Sequence, residues 1–148
     1  MAEPIALLDV NVLIALIDPQ HVQNETSHRW FQAHGCGGWA SCPLIQNALL
    51  RILGNPRYPN SSGGPAVVMH LLQGLLGHPA HVFWPADLSW DAAGVFVVDG
   101  PLHHGQITDT YLPGLAVHHL GKLVSFDRLL SPGAVCGGAE ALQLLDPG

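Results

Sequence analysis

The sequence predicts an α/β fold, a three-layer sandwich in which a mainly parallel sheet of about five strands lies between helices. Short aliphatic runs such as IALL (5–8) and KLVSF (122–126) are typical of buried strands. Longer helical segments separate these runs, and strands that alternate with helices form a parallel sheet covered on both faces. The 148 residues suffice for one core, so we expect a single domain over residues 1–148.

Turn-forming and helix-starting residues limit the predicted elements. Pro43 and Pro65 each open a helix, because proline is favoured in the first helical turn. The segment NPRYPNSSGG (55–64) is the loop between these helices, because its turn formers cannot continue a helix. The predicted order is strand 5–8, helices 10–17 and 26–34, strand 38–41, helices 43–53 and 65–76, strand 81–84, a short helix after Ser89, helix 107–119, and strands 122–126 and 142–145.

Composition narrows the class of protein. With 48% hydrophobic and 11% charged residues, the chain is expected to bury part of its surface in a partner or a homodimer. A net charge of -6 argues against a broad, non-specific phosphate-binding face. No apolar stretch reaches the roughly 18 residues that span a bilayer, and no secretory signal is recognisable, so we expect a cytoplasmic protein without a membrane segment. The three cysteines are expected to be reduced thiols, and the ten scattered histidines are not expected to form a metal site.

Acidic residues follow two of the predicted strands. Asp9 comes directly after IALL and Asp127 directly after KLVSF. In a parallel sheet the ligand site lies outside the carboxyl ends of the central strands, so these two carboxylates would meet if the strands are neighbours. Asp109, in the first turn of helix 107–119, is a third candidate for the same edge.

Carboxylates held within a few ångströms of one another repel, and their burial costs several kcal/mol each unless a cation or a shared proton compensates. Oxygen ligands suit Mg²⁺ or Mn²⁺, which keep waters for a substrate phosphate. Such a site would hydrolyse a phosphodiester bond. The acids therefore predict a metal-dependent nuclease.

Each aspartate also has a simpler interpretation. Asp9 and Asp109 can cap or stabilise a helix start, and Asp127 can be a turn residue, so only their joint placement favours a metal site. A phosphatase with Asp9 as nucleophile is disfavoured, because Asn11 stands where such a site needs a second aspartate. The other acids are predicted to be solvated charges; they are Asp18, Glu25, Asp87, Asp91, Asp99, Glu140 and Asp146.

Three blocks of the chain resemble one known family in their order and spacing. The blocks are LLDVNVLIALIDPQHVQNETSHRWF, GWASCPLIQNALLRILGNPRYP and ITDTYLPGLAVHHLGKLVSFDRLL, and they are similar to the PIN-domain ribonucleases of the VapC toxin group. The resemblance implies a PIN-like fold, bound Mg²⁺ or Mn²⁺, and cleavage of structured RNA such as transfer or ribosomal RNA. It also implies a toxin neutralised by a small VapB-like antitoxin.

By position, the resemblance assigns the metal-binding acids to Asp9, Asp109 and Asp127. The family's remaining acid, a glutamate near the start of the third helix, falls on Gln46. An amide offers a carbonyl oxygen, but it attracts a dication less than a carboxylate does and cannot act as a base. Three interpretations stay open: a site that works with three aspartates, a PIN-fold binding module that associates with RNA or an antitoxin without cleavage, or a deliberate substitution that weakens a toxic enzyme.

Pro113 falls inside the helix that carries Asp109. Its ring nitrogen cannot donate to the carbonyl of Asp109, so we expect a kink there. The kink is expected to reshape the groove beside the site more than it moves Asp109.

Polar residues near the acids are candidates for supporting roles. Asn11 could orient Asp9, and Ser125 shares a strand face with Asp127, so it could contact phosphate or a metal-bound water. Arg51 could contact a phosphate, or it could be an ordinary surface cation over an apolar helix. Weaker supporting candidates are Asn47 and Thr108.

Overall fold

The computed structural model describes residues 3–146, so residues 1, 2, 147 and 148 of the predicted domain lie outside the described part. Five strands form one sheet in the order β3-β2-β1-β4-β5, and every neighbouring pair is parallel. The predicted α/β sandwich is therefore confirmed. The strands are β1 (Ala6–Leu8), β2 (Trp39–Ser41), β3 (His81–Phe83), β4 (Lys122–Ser125) and β5 (Leu142–Leu144).

Helices connect the strands on both sides of the sheet. Pro43 and Pro65 open helices as expected. The first residues of the second helix lie two positions before the predicted start, and a four-residue helix near the end of the described chain had no sequence signal. The helices are α1 (Val10–Ile17), α2 (Asn24–His34), α3 (Pro43–Leu53), α4 (Pro65–Leu76), α5 (Ile107–His118) and α6 (Gly138–Ala141), with short 3₁₀ turns at Gly35–Gly37, His104–Gln106 and Pro132–Ala134.

The short helix predicted after Ser89 is wrong. Residues 84–103 form a loop of turns, which is held by tertiary hydrogen bonds rather than by its own helical ladder. The N–H of Val97 donates to the carbonyl of Ala134 at 2.9 Å, and the N–H of Cys136 donates to the carbonyl of Val95 at 2.7 Å. These long-range partners satisfy the backbone groups that a helix would otherwise pair.

The core lies around the central strands. Leu7 and Leu8 of β1 and Leu123 and Val124 of β4 are all fully buried, because helices cover both faces of the sheet. One cluster of buried apolar residues extends from Ala6 to Leu145. Among the described residues, none of the helices has the length and apolar character needed to cross a bilayer.

Helix α5 continues through Pro113 and ends against the start of β4. Leu120, which follows the helix, has a left-handed φ of 56°, and the N–H of Gly121 then donates back to the carbonyl of Ala116 at 2.8 Å. Gly121 packs against its neighbours so closely that a Cβ there would lie 2.5 Å from the carbonyl oxygen of Ile5 and 2.6 Å from the ring of Trp84. The path from α5 into β4 therefore requires glycine at this position.

We expect Gly121→Ala to destabilise the protein by about 1–3 kcal/mol, because the added methyl group would overpack against backbone and a buried ring. The matched control is Gly74→Ala in α4, where a Cβ would meet nothing within 4 Å. There the higher helix propensity of alanine should give a gain of about 0.5–1 kcal/mol. Urea unfolding measures both changes, and equal effects for the two variants would contradict the close packing at Gly121.

Candidate active site

The pairing of β1 with β4 brings two acidic segments to one edge of the sheet. Leu8 lies opposite Val124 in the parallel register, and the N–H of Asp9 donates to the carbonyl of Val124 at 2.9 Å. Asp9 therefore begins where β1 ends, beside the end of β4. Asp127 follows two residues after Ser125, the last residue of β4.

The carboxylate of Asp9 is held by two hydrogen bonds and is 7% exposed. Its Oδ1 accepts from the N–H of Val10 at 2.8 Å, so Asp9 caps α1. Its Oδ2 accepts from the hydroxyl of Ser125 at 2.7 Å. The capping interpretation is therefore confirmed for Oδ1, while Oδ2 is held by Ser125 at the edge of the sheet.

Ser125 is fully buried and links the two strand ends. While its hydroxyl donates to Asp9, its oxygen accepts from the Nδ2 of Asn11 at 3.0 Å and from the N–H of Asp127 at 3.0 Å. The Oδ1 of Asn11 in turn accepts from the N–H of Phe126 at 3.1 Å. Asn11 and Ser125 therefore orient the acids through a network in which every hydrogen-bonding group of the serine is used.

Asp109 reaches the same edge from the first turn of α5. It is half-buried and shares a cleft of about 210 Å³ with Asp9. Thr108 and Arg51 also line this cleft. Its remaining walls are apolar side chains from α1, α3 and α5, namely Val10, Leu44, Ile45, Ala48, Ile52 and Leu112.

Burial and neighbouring charges affect the ionisation of Asp9 and Asp109. Burial raises the pKa of Asp9 above its ordinary value in spite of its two hydrogen bonds, and the charges of Asp109 and Asp127 raise it further. Burial also raises the pKa of Asp109, and the charge of Asp127 adds to that shift. Within residues 3–146, no lysine or arginine forms an ion pair with any of these acids.

This donor set fits a hard dication. The carboxylate oxygens of Asp9, Asp109 and Asp127 do not all lie within 4.8 Å of one another. Asp9 and Asp109 share the cleft with its apolar walls, and a divalent cation with oxygen preference would relieve the repulsion between their charges. Asp9, Asp109 and Asp127 are the side chains that could hold it. Asn11 and Ser125 could keep two of them in place.

The amide of Gln46 donates to Ser41 rather than to these acids, and Gln46 does not line the cleft. Its Nε2 donates to the hydroxyl oxygen of Ser41 at 2.9 Å, and that oxygen lies 2.8 Å from the Nε2 of His81. Burial lowers the pKa of His81, so its ring is neutral at pH 7 and can accept the serine proton. Gln46 thus takes part in a neutral chain that runs from α3 to β3.

The other candidates on α3 are exposed. Asn47 lies on the solvent side of the helix, next to Gln46. Arg51, one turn further along, lines the Asp9 cleft and also a neighbouring groove of about 470 Å³. Arg57, Asn55 and Tyr58 line the rest of that groove together with apolar residues.

Two features of this region lack a sequence signal. Asp18, expected to be a solvated charge, is only 4% exposed and accepts hydrogen bonds from the hydroxyl of Tyr58 and, at 2.9 Å, from the Nδ2 of Asn60. Burial opposes its ionisation, but these bonds outweigh burial and hold its pKa below the usual value. Since Tyr58 lines the groove beside Arg57, Asp18 positions one wall of it.

Cys42, a fully buried free thiol at the start of α3, has its pKa raised by burial and stays protonated.

We expect Asp109→Asn to stabilise the protein in EDTA at pH 8, by less than about 1 kcal/mol because the carboxyl is half-exposed and screened. A raised folded-state pKa means that the ionised carboxylate disfavours folding above that pKa, and the disadvantage disappears as the pH falls and the group protonates. Thermal unfolding at pH 8 and pH 4 should therefore show a gain only at pH 8. The exposed Asp99→Asn is the control, and an equal gain in both variants would argue against repulsion at the site.

Comparison with known proteins agrees with this geometry. No protein-family model matches the chain. Ribonuclease VapC39 of Mycobacterium tuberculosis is 36% identical over 137 residues, which are 93% of this chain and 99% of the relative. Ribonuclease VapC44 of the same organism is 39% identical over 141 residues, covering 91% and 94%, and ribonuclease VapC29 is 38% identical over 125 residues, covering 84% and 87%. The prediction made from the three sequence blocks is confirmed, and the chain belongs to the VapC family of ribonucleases.

Proposed function

We propose that this protein is a single-domain, metal-dependent endoribonuclease toxin that hydrolyses phosphodiester bonds in structured RNA, such as transfer or ribosomal RNA. The observation that carries the proposal is the approach of Asp9, Asp109 and Asp127 to one sheet edge, where no lysine or arginine within residues 3–146 forms an ion pair with them. The scaffold that holds them is that of a VapC ribonuclease.

Asp9, Asp109 and Asp127 are proposed to hold Mg²⁺ or Mn²⁺. When bound, the ion supplies positive charge that stabilises the phosphodiester transition state and activates the attacking water. Asp9 is locked by Ser125 and Val10, so its carboxylate needs no reorganisation before substrate binds. Asn11 and Ser125 are positioning residues, because they act on the acids and through them on the reaction.

The RNA backbone is proposed to cross Arg51. The cleft and the neighbouring groove share Arg51, and Arg57 lies further along the same groove. The whole chain has five lysines and arginines, and two of them, Arg51 beside the acids and Arg57 further along the groove, form a local basic strip on an acidic protein. Thr108 lines the cleft and Asn47 is exposed on α3, and both side chains are proposed to donate hydrogen bonds to phosphate or sugar oxygens.

Two protein partners are proposed as well. A VapB-like antitoxin would block the cleft by placing a cationic side chain among the three aspartates and apolar side chains against its walls. A homodimer would bury apolar residues that are exposed on α4 and on the edge strand β3, namely Val67, Met69, Leu71, Val82 and Phe83. The proposed RNA substrate and antitoxin both place the activity in the cytoplasm.

We expect purified protein to cleave total RNA when Mg²⁺ or Mn²⁺ is present, and EDTA to abolish the cleavage. Asp9→Asn should lose at least about 100-fold in rate, since even the loss of a group that only orients a metal ligand costs 10–100-fold. Gel analysis of RNA over time measures the rates, with Asp99→Asn as the control that should keep full activity. If the unmodified protein cleaves nothing with either ion, this chain is not an active nuclease.

We expect Gln46→Glu to bind Mn²⁺ more tightly and to cleave faster. The Ser41 hydroxyl can turn to donate to the new carboxylate. The Nε2 of His81 can then carry a proton and donate to the serine oxygen, which replaces the bond from the Gln46 amide. The variant should therefore fold as the unmodified protein does. Calorimetric titration with Mn²⁺ and the same RNA gel provide the measurements, and Gln73→Glu on α4 is the control for added negative charge.

The same pair of measurements tests the rival function. A non-catalytic module that binds RNA or an antitoxin has no reason to hold the ion, and no observation on the described residues favours it. An unmodified protein without activity beside an active Gln46→Glu variant would establish that module for this chain. Unchanged Mn²⁺ affinity in Gln46→Glu would show that residue 46 lies outside the metal site.

A further inference from the structure

We propose that Asp87, His118 and His119 form a second metal site, which binds Zn²⁺ and is separate from the cleft that Asp9 and Asp109 line. We call these three residues the histidine site. The sequence shows two adjacent histidines without a third donor at ligand spacing, and the fold supplies that donor from the loop after β3. The inference does not depend on the nuclease proposal.

The three donor atoms are already close together. The Oδ1 of Asp87 lies 2.9 Å from the Nε2 of His119 and 3.7 Å from the Nε2 of His118. All three donor atoms lie within 4.8 Å of one another. Among the residues that the structure describes, no other group of three histidine, cysteine or acidic side chains meets this condition.

These separations suit a tetrahedral ion. With Zn–N and Zn–O bonds of about 2.0–2.2 Å, neighbouring ligand atoms in a tetrahedron are about 3.3–3.5 Å apart. The two distances from Asp87 lie on either side of this value, so each needs to change by only a few tenths of an ångström. Two imidazoles, one carboxylate and a water in the fourth position form a donor set that Zn²⁺ takes readily.

The ligands are held before any ion arrives. The ring of His119 stacks on Trp84, with ring centroids 4.5 Å apart and planes inclined by 9°, and it is the less exposed of the two histidines. Trp84 is itself 4% exposed, so the ring rests on a rigid part of the core. The turn at Leu120 ends α5 directly after these histidines and fixes their backbone. Such support from neighbouring groups reduces the entropy that metal binding must overcome.

The histidine site and the cleft are different places with different chemistry. Asp109 stands in the first turn of α5, and His118 ends the helix nine residues later, about 14 Å further along its axis. The cleft offers only carboxylate oxygens, which suit Mg²⁺, whereas imidazole nitrogen suits Zn²⁺ and is a poor ligand for Mg²⁺. The two sites should therefore fill with different ions in the same solution.

A bound ion would add a link between two segments that already touch through the stack of His119 on Trp84 and the buried hydrogen bonds between Tyr111 and Leu88. Asp87 belongs to the long loop 84–103, and the histidines belong to the end of α5. Because the site requires the folded arrangement, Zn²⁺ should bind the native state in preference to the unfolded chain and raise the midpoint of thermal unfolding.

The test is calorimetric titration of untagged protein with Zn²⁺ in the presence of excess Mg²⁺, which keeps the carboxylate cleft filled. We expect one Zn²⁺ per chain, and an affinity at least about 10-fold lower in Asp87→Asn and in His118→Asn. Both substitutions leave the His119 stack on Trp84 intact, and circular dichroism checks that the variants fold. Co²⁺ in place of Zn²⁺ should give the visible absorption of a tetrahedral ion, which both variants lose.

The control is the double variant His103→Ala/His104→Ala, which removes a second adjacent pair whose rings also stack, at 4.4 Å. It should keep the Zn²⁺ affinity and the rise in the unfolding midpoint. The proposal is overturned if the unmodified protein binds no Zn²⁺ under these conditions, or if Asp87→Asn and His118→Asn bind it as tightly as the unmodified protein. An equal loss in the His103/His104 variant would also overturn it, since binding would then reflect scattered histidines.

Discussion

The hydrogen bond from the Ser125 hydroxyl to the Asp9 carboxylate is the contact on which the arrangement of the site depends. It joins residues 116 positions apart, and it forms because β1 and β4 are parallel neighbours at the centre of the sheet. The serine also accepts from Asn11 and from the backbone of Asp127, so one buried hydroxyl contacts both the Asp9 carboxylate and the chain that carries Asp127. Its replacement by an apolar residue would leave a buried carboxylate and an amide short of partners, which costs more than one hydrogen bond.

The ionised aspartates of the site lower the stability of the fold when no cation is bound. Burial and neighbouring charges raise the pKa of Asp9 and of Asp109, so the site carries repulsion that a bound dication would remove. Gln46 affects this repulsion, because a glutamate at position 46 would add a fourth carboxylate. The amide instead completes a neutral chain with Ser41 and His81.

Sequence patterns predicted the fold and the relative position of Asp9 and Asp127 because both follow from local rules. Buried strands look apolar, and parallel strands place the residues after them at one edge. The burial of Asp18 was not predicted, because its partners Tyr58 and Asn60 lie in a loop about 40 residues further along the chain. The conformation of that loop does not follow from a periodic pattern in the sequence. The helix predicted after Ser89 was wrong for a related reason. The residues there are compatible with both a turn and a helix, and hydrogen bonds to Ala134 and Cys136 determine the conformation of the loop. Asp87 came to meet His118 and His119 through that same loop.

The order of the strands also governs when the site can exist. β1 is the first strand in the chain and occupies the middle of the sheet, but its partner β4 is made more than a hundred residues later. During synthesis, which proceeds at about 5–20 residues per second, the emerging chain holds Asp9 for several seconds before Ser125 and Asp127 are available. Contacts between residues so distant in the chain also slow folding. A partly synthesised chain therefore lacks the assembled acids, and a ribosome making this protein is not exposed to its chemistry until β4 has emerged and paired.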